Sequence, residues 1–390
     1  MTEEKPICVG VVGCGQFMSR QHIQTVARSP LLKLQHVADL DRRKLGAIAE
    51  RYHPIRSTTD WRNVVADPEV DVVVVGVLPQ LHPEIARAAI QSGKPVYVEK
   101  PLAETPAECL AIQRMASERG LPVAVGFNRR FAPATQWLRT AFRAASGPVS
   151  IVYRISDDDR IRPPDQKWKL ECRLLIEVVH VFDLLAYLLQ AEPVSIEARE
   201  TRFNDTMVLV EFDGGSRAVI HSSSWGSLAQ PKERLEAVLD RGSVEMVDFV
   251  EFRSYGVPGV PELARFAGRP YDGCDNRHVD DFARRGLEAM LEMRQRYHAA
   301  MEQSGVLADS SNEQAWAEAR RMLGDPPLPQ INYASDKGWG QALEHFCQAI
   351  AEGRTPENAG AVDGNRATAC AVAGRKSIQL GRPVELNPAD

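Results

Sequence analysis

The chain has 390 residues, 44% of them hydrophobic and 25% charged, which is enough for two ordinary globular domains. No run approaches the roughly 20 apolar residues that a membrane-spanning helix needs, and the acidic, polar residues 1–6 lack the basic-then-apolar layout of an export signal, so a cytoplasmic protein with no membrane partner is expected. A net charge of −5 argues against nucleic acid as a partner, and seven cysteines without C-x-x-C spacing point to reduced thiols, with no disulfide framework and no metal site.

The first third alternates strand and helix signals. A β-branched run at 7–12 ends in glycines, a helix pattern follows at 19–29, and an apolar strand at 34–38 closes on Asp39. Residues 42–52 read as helix. Residues 70–77 are an almost continuous valine run, as expected of a strand buried on both faces of a parallel sheet. Helix 83–92, strand 96–98, helix 106–119 and strand 123–126 complete the series. Strands spaced by helices of this length predict βαβ units with right-handed crossovers, and so a Rossmann domain over 1–128.

After Asn128 the pattern changes. A helix at 131–145 is followed by strand signals at 150–155, 194–200, 206–212, 216–222, 233–238 and 243–247, with one helix at 174–189 among them. Asp213-Gly214-Gly215 and Asp240-Arg241-Gly242 supply turn chemistry. An α+β domain over 129–390, built on a large and mostly antiparallel open sheet, is expected, giving an α/β protein overall. Residues 257–337 interrupt it as a helical, charged insertion that ends in a Pro-rich break at 325–329. An amphipathic helix at 339–353, a helix at 368–380 and a short strand at 384–386 follow.

The segment Gly13-Cys14-Gly15-Gln16-Phe17-Met18 follows a strand and opens a helix. Gly13 suits a tight turn, Gly15 lets the backbone approach a pyrophosphate, and the helix behind offers free N–H groups to the anion. The third fingerprint position is Met18 in place of Gly or Ala, which predicts a helix set slightly farther from the strand. Asp39, 21 residues beyond Met18, is placed to accept hydrogen bonds from the adenosine ribose and to repel a 2′-phosphate, so NAD is preferred. Arg42 and Arg43 stand close enough to offset part of that repulsion, which leaves NADP open, and a helix N-cap is the alternative reading of Asp39.

Glu99-Lys100-Pro101 follows the strand at 96–98 and so sits at the carboxyl edge of the parallel sheet, where ligands bind in open α/β folds. A lysine there hydrogen-bonds a substrate hydroxyl and stabilises the alkoxide that forms as hydride leaves.

Val96-Tyr97-Val98-Glu99-Lys100-Pro101-Leu102-Ala103 resembles the signature of the glucose–fructose oxidoreductase / inositol dehydrogenase / rhizopine catabolism (Gfo/Idh/MocA) family. Residues 72–81 with His82, the segment Gly126-Phe127-Asn128-Arg129-Arg130-Phe131, and residues 339–386 are similar to further family segments. The resemblance implies hydride transfer between a nicotinamide and a carbon of a sugar, polyol or glycoside, in a homodimer or homotetramer. It implies that Pro79, His82, Glu99, Lys100 and Asn128 surround the cofactor with the glycine loop, and that Lys100 activates the substrate. His180 falls at the family's catalytic histidine, with an imidazole suited to general-base work near neutral pH. Glu177 shares a helix face with it at i, i+3 and joins it as a catalytic candidate. Arg129, Arg154, Trp168, Arg173 and Asp183 lie in segments that border the substrate in relatives.

Two departures stand out. Many relatives carry Asp four residues before the histidine, where this chain has Ile176, and the usual glycines are replaced around Glu171-Cys172. Three functions therefore stay open: a dehydrogenase, a glycosidase that oxidises and re-reduces its substrate on held NAD, and an NAD-binding regulator.

Overall fold

The computed structural model describes residues 5–162 and 172–386. Internal contacts divide the chain into two compact units, Met1–Phe131 with Gly338–Ala369, and Ala132–Lys337 with Cys370–Asp390.

The first unit is built on six strands: β1 (Ile7–Val12), β2 (Leu32–Ala38), β3 (Arg56–Thr58), β4 (Val72–Val75), β5 (Val96–Val98) and β6 (Val123–Val125). They run parallel in the order β3-β2-β1-β4-β5-β6, the order of a dinucleotide-binding sheet whose direction of growth reverses between β1 and β4. Val72, Val73, Val74 and Val75 are each wholly buried, as the valine run predicts. β3 and the helix Trp61–Ala66 lie outside the predicted elements. β3 is three residues long and mostly exposed, so it carries no periodic signal. The helix did announce itself, since Asp60 caps it by accepting from the Arg62 amide at 3.0 Å.

The sequence pattern puts everything from residue 129 onward in the second domain, whereas residues 338–369 group with the first unit. The reason lies in the helix Trp339–Ala351. Its Ala342, Leu343, Phe346 and Cys347 are buried in one cluster with Val9, Val11, Ile23 and Tyr97, and the Phe346 ring meets Tyr97 edge-on at 5.9 Å. Amphipathic periodicity shows that a helix has an apolar face but not which core that face completes.

The second unit carries nine strands: β7 (Ser150–Ser156), β8 (Pro193–Arg202), β9 (Asp205–Phe212), β10 (Arg217–Ser223), β11 (Glu233–Leu239), β12 (Gly242–Val247), β13 (Glu251–Tyr255), β14 (Leu263–Arg265) and β15 (Val384–Glu385). Their order is β14-β13-β12-β11-β7-β10-β9-β8-β15, antiparallel except for the β7–β10 pair. Burial alternates along β11 with period two, so one face packs and the other is open. β13 and β14 were not predicted. The turn before β13 uses Asp248 and Phe249 at φ 49° and 60°, and Phe249 stands where such a turn usually has glycine, so no turn signal separates Val247 from β13. The insertion folds as the helices His278–Arg285, Leu287–Gln303 and Glu313–Leu323. They share a buried cluster with Leu228, Val247 and Val250 of the sheet region.

Phe346→Ala should cost the protein about 3–5 kcal/mol, the usual price of an aromatic deleted from a packed core. Urea denaturation monitored at the first unit's nucleotide site checks it; a loss under 1 kcal/mol would mean that this helix is no part of that core.

Candidate cofactor and active site

In the first unit the carboxyl ends of five strands converge on one edge of the sheet. At β1, Gly13 holds φ 99°, and a Cβ there would come within 2.2 Å of the Gly76 carbonyl oxygen. Only glycine fits a backbone crossing that close. A Cβ at Gly15 would meet nothing within 4 Å, so the space beside the loop is open. The helical stretch Gln16–Met18 begins there, with Gln16 exposed and Phe17 half-buried. It continues as a wide turn at Ser19–Ile23 and as helix over Gln24–Arg28.

Met18 is where the structure answers the missing third glycine. Its Sδ lies 2.0 Å from where a Gly76 Cβ would stand. The thioether therefore fills space released by a glycine on β4's exit loop, and Met18 is buried there. The bulk that the fingerprint excludes at position 18 is accommodated across the chain at position 76.

At β2, both carboxylate oxygens of Asp39 accept main-chain hydrogen bonds, from Cys14 N and from Asp41 N, each 2.8 Å. The carboxylate is fixed against the glycine loop and partly exposed. Asp39 is not the cap of the helix Arg42–Tyr52; Asp41 is, through Arg43 N at 2.9 Å. Arg43 folds back on Asp41, and Arg42 is exposed. Open space at Gly15, an anchored carboxylate at Asp39 and the adjoining helix amides fit an NAD pyrophosphate and ribose.

At β5, Glu99 is 6% exposed. Its Oε1 lies 2.7 Å from His22 Nε2, and its Oε2 accepts the Lys100 amide at 3.3 Å. A side chain at Gly126 would strike this carboxylate at 2.6 Å, so the glycine ending β6 makes the room it occupies. On the other side of Lys100, His82 Nδ1 sits 2.7 Å from the Pro101 carbonyl and Nε2 sits 3.2 Å from that of Val77. Burial lowers the His82 pKa, which leaves a neutral ring whose shorter contact marks Nδ1–H as the donor. The main chain at Lys100-Pro101 is thus held from both flanks. Pro79 is buried beside this edge, and Asn128 is wholly buried in the short turn Asn128–Phe131. Arg129 is buried there too, and Arg130 pairs with Asp363 at 2.8 Å.

His22 was not among the sequence candidates. It lies on the helix behind the glycine loop and is wholly buried against Phe17 and Tyr97, at 5.7 and 5.3 Å between ring centres. Its signal was a buried-looking histidine nine residues after Gly13, legible only once Glu99 is known to need a donor.

In the second unit, the wide turn Leu174–Val178 runs into the helix Val179–Leu189. His180 is 6% exposed, Asp183 is buried one turn later, and Ile176 is buried at the position where the resemblance implies a carboxylate. Glu177 Oε2 lies 3.0 Å from Lys232 Nζ, which also meets Asp157 Oδ2 at 2.9 Å. Burial opposes the charge on Asp157, but Lys232 and Arg173 outweigh it and hold the carboxyl far below the usual carboxylate range. Lys232 is likewise drawn down by burial and raised overall by Asp157 and Glu177.

Arg173 departs from its predicted substrate role. Its guanidinium is spent inside the unit, on Ser222 Oγ at 2.9 Å, Asp159 Oδ2 at 2.8 Å, the Ile155 carbonyl at 3.2 Å and Asp157. A guanidinium with all three nitrogens engaged inside the unit is a structural tie more than a grip for a ligand. Arg154 remains a substrate candidate, half-buried on β7 with Nη1 meeting no protein acceptor among the described residues. Trp168 lies outside the described residues. No group of three or more acidic, histidine or cysteine side chains suited to a metal occurs among the described residues, and no helix there is long and apolar enough to cross a membrane.

A parallel sheet in this order, with a glycine crossing and an anchored acidic residue at the switch point, defines an NAD-binding Rossmann protein. Residues 7–127 match the model of the oxidoreductase family with an NAD-binding Rossmann fold, Gfo/Idh/MocA, and over that stretch the chain is similar to that family. It is 30% identical over 207 residues to an inositol 2-dehydrogenase of Acidothermus cellulolyticus, a stretch covering 52% of this chain and 60% of the relative, so it spans less than two thirds of that protein. Solved structures share the fold across nearly the whole chain. A myo-inositol 2-dehydrogenase from Lactobacillus plantarum superposes with TM-score 0.72 at 15% identity, covering 98% of this chain and all of that one. A levoglucosan dehydrogenase in complex with NADH does so with TM-score 0.72 at 20% identity over the same shares.

Gly76→Ala should drive its methyl into the Met18 thioether, lowering stability by about 1–3 kcal/mol and weakening NAD binding. Adding Met18→Ala should recover most of both losses in calorimetric melting and titration with NAD. No recovery would show that the two positions do not share that space.

Proposed function

We propose that the protein is an NAD(P)-dependent dehydrogenase that oxidises a CH–OH carbon of a sugar, polyol or glycoside. The observation that carries this reading is the clamped Lys100 main chain. Glu99, fixed by His22, accepts its amide, and His82 grips the next carbonyl. An edge built so rigidly at the carboxyl end of β5 is suited to hold a side chain at a reacting atom. The inositol and levoglucosan dehydrogenases among its relatives support the substrate class.

Bound NAD supplies the hydride acceptor. Lys100 donates a hydrogen bond to the substrate hydroxyl oxygen and steadies the alkoxide as it forms. His180, as a neutral imidazole, takes the hydroxyl proton, and Glu177 stabilises the imidazolium that results. Arg129, Arg154 and Asp183 orient the remaining hydroxyls. Asp39 favours NAD over NADP. A homodimer or homotetramer is the expected assembly, supported by the exposed, adjacent Val152, Val219 and Met207 on the open face of β7, β10 and β9.

A second reading rests on Ile176, buried where the family resemblance implies an aspartate. Loss of that carboxylate favours a protein that keeps its nicotinamide without net turnover, as an internal-redox glycosidase or a regulator would.

The purified protein, incubated with NAD and a panel of sugars, polyols and glycosides, should produce NADH with at least one of them. Lys100→Met and His180→Gln should each reduce kcat by about 10²-fold or more while leaving NAD affinity within about twofold. Bound nicotinamide with no NADH on any substrate would overturn the dehydrogenase reading in favour of the second.

A further inference from the structure

The insertion at 257–337 sends two buried cations and a half-buried amide toward the Glu177 region. Arg294, on the helix Leu287–Gln303, is 1% exposed. Its Nη2 donates to Asp248 Oδ2 at 2.6 Å and to Asn332 Oδ1 at 3.3 Å. Asn332 then donates from Nδ2 to Asp157 Oδ1 at 2.7 Å. A guanidinium on one side and a carboxylate on the other allow the amide only this orientation. Lys337, 2% exposed, donates to Glu233 Oε1 at 2.8 Å and to Asp248 Oδ1 at 3.0 Å.

These contacts converge on Lys232. Its main-chain amide donates to Asp248 Oδ2 at 3.2 Å, and Asp248 is the carboxylate held by Arg294 and Lys337. Its ammonium meets Asp157 Oδ2, and Asp157 is the carboxylate held by Asn332 and Arg173. The remaining reach of that ammonium goes to Glu177 Oε2, one helical turn before His180. Lys232 is therefore gripped at both ends by groups that the insertion anchors.

We propose that the insertion is a positioning element of the active site: Asn332 and Arg294, acting through Asp157, Asp248 and Lys232, set the counter-charge that Glu177 carries beside His180. This rests on the reading of Glu177 and His180 as reacting groups. It also gives the apolar Ile176 a counterpart, because the carboxylate that the resemblance implies there is supplied one residue later and needs its own cation.

The charge balance makes the direction explicit. Around Glu177 stand Lys232, Arg173 and Arg162 as cations, Asp157 and Asp159 as anions, and the Tyr333 phenol. Without the Asn332 amide, Asp157 Oδ1 loses its donor and Asp157 draws harder on the shared ammonium. Glu177 then keeps less counter-charge, and its field favours the His180 imidazolium.

The test uses the full chain with ring-labelled histidine, in which the His180 resonance is assigned by its disappearance in His180→Gln. Asn332→Leu should displace that resonance and raise its titration midpoint by about 0.5 pH unit, with melting temperature and NAD affinity close to those of the parent. Arg285→Ala, which breaks only the exposed pairs with Glu288 and Glu292 elsewhere on the insertion, should leave it in place. Should Asn332→Leu fold poorly, Asn332→Ser carries the same expectation. An unmoved His180 resonance in a folded Asn332 variant, or an equal displacement in Arg285→Ala, would overturn the proposal. The readout needs no turnover, so a displaced resonance without NADH formation would count against the dehydrogenase reading alone.

Discussion

A carboxylate removed from water must be met by donors, because the charged form otherwise costs several kcal/mol. Glu99 meets that constraint at the centre of the first unit. His22 answers one oxygen and the Lys100 amide the other, and Gly126 yields the volume. Once Glu99 is fixed, Lys100 has a fixed root, and β5, β6 and the helix behind the glycine loop are held in register by one buried group. The aromatic contacts Phe17–His22, His22–Tyr97 and Tyr97–Phe346 continue the same packing into the carboxy-terminal helix. That continuity explains why residues 338–369 return to this unit: the ring stack that seats His22 is unfinished without Phe346.

The second unit solves a harder version of the same problem. Asp157, Asp159, Lys232, Glu233, Asp248, Arg173, Arg294 and Lys337 are all under 9% exposed. Such a network is weak evidence of stability, since desolvation consumes most of the attraction, and replacing it with apolar side chains of equal volume is often neutral or better. Its value lies in geometry. Each carboxylate is shared between two cations or between a cation and a neutral donor, as Glu233 is between Lys337 and the Tyr153 hydroxyl, so no member turns without displacing a neighbour. Glu177, the carboxylate at the rim of that lattice, inherits its rigidity through Lys232.

The sequence disclosed the periodic features and the backbone-bound ones. The valine run at 72–75, the glycine crossing and the acidic end of β2 each follow from a local rule of burial or turn geometry, and all stand where those rules put them. What stayed hidden is pairwise. Met18 looked like a flaw in the fingerprint because its partner, Gly76, lies in another βα unit. Arg173 looked like a substrate fork because nothing local shows that Asp159, Ser222 and the Ile155 carbonyl would claim its donors. His22 was silent for the same reason: its meaning is Glu99, 77 residues away. The hairpin at Asp248-Phe249 escaped because Phe249 stands where such turns favour glycine.

Asp248 joins these strands of reasoning. Aspartate tolerates the left-handed φ of Asp248 about as well as asparagine, but its buried charge is costly, and an Asn-Gly pair would make the same turn without that charge. Asn-Gly would not, however, offer a carboxylate that accepts the Lys232 amide on one oxygen and serves Lys337 and Arg294 at once. The buried charge is met because the turn doubles as the hub through which the insertion reaches Lys232. A loop retained only for its shape would be expected to relax to the cheaper residues; one retained for its charge would not. The choice of residue at this turn therefore argues, independently of the helix that bears His180, that the buried ionic lattice is what the second unit is built to keep.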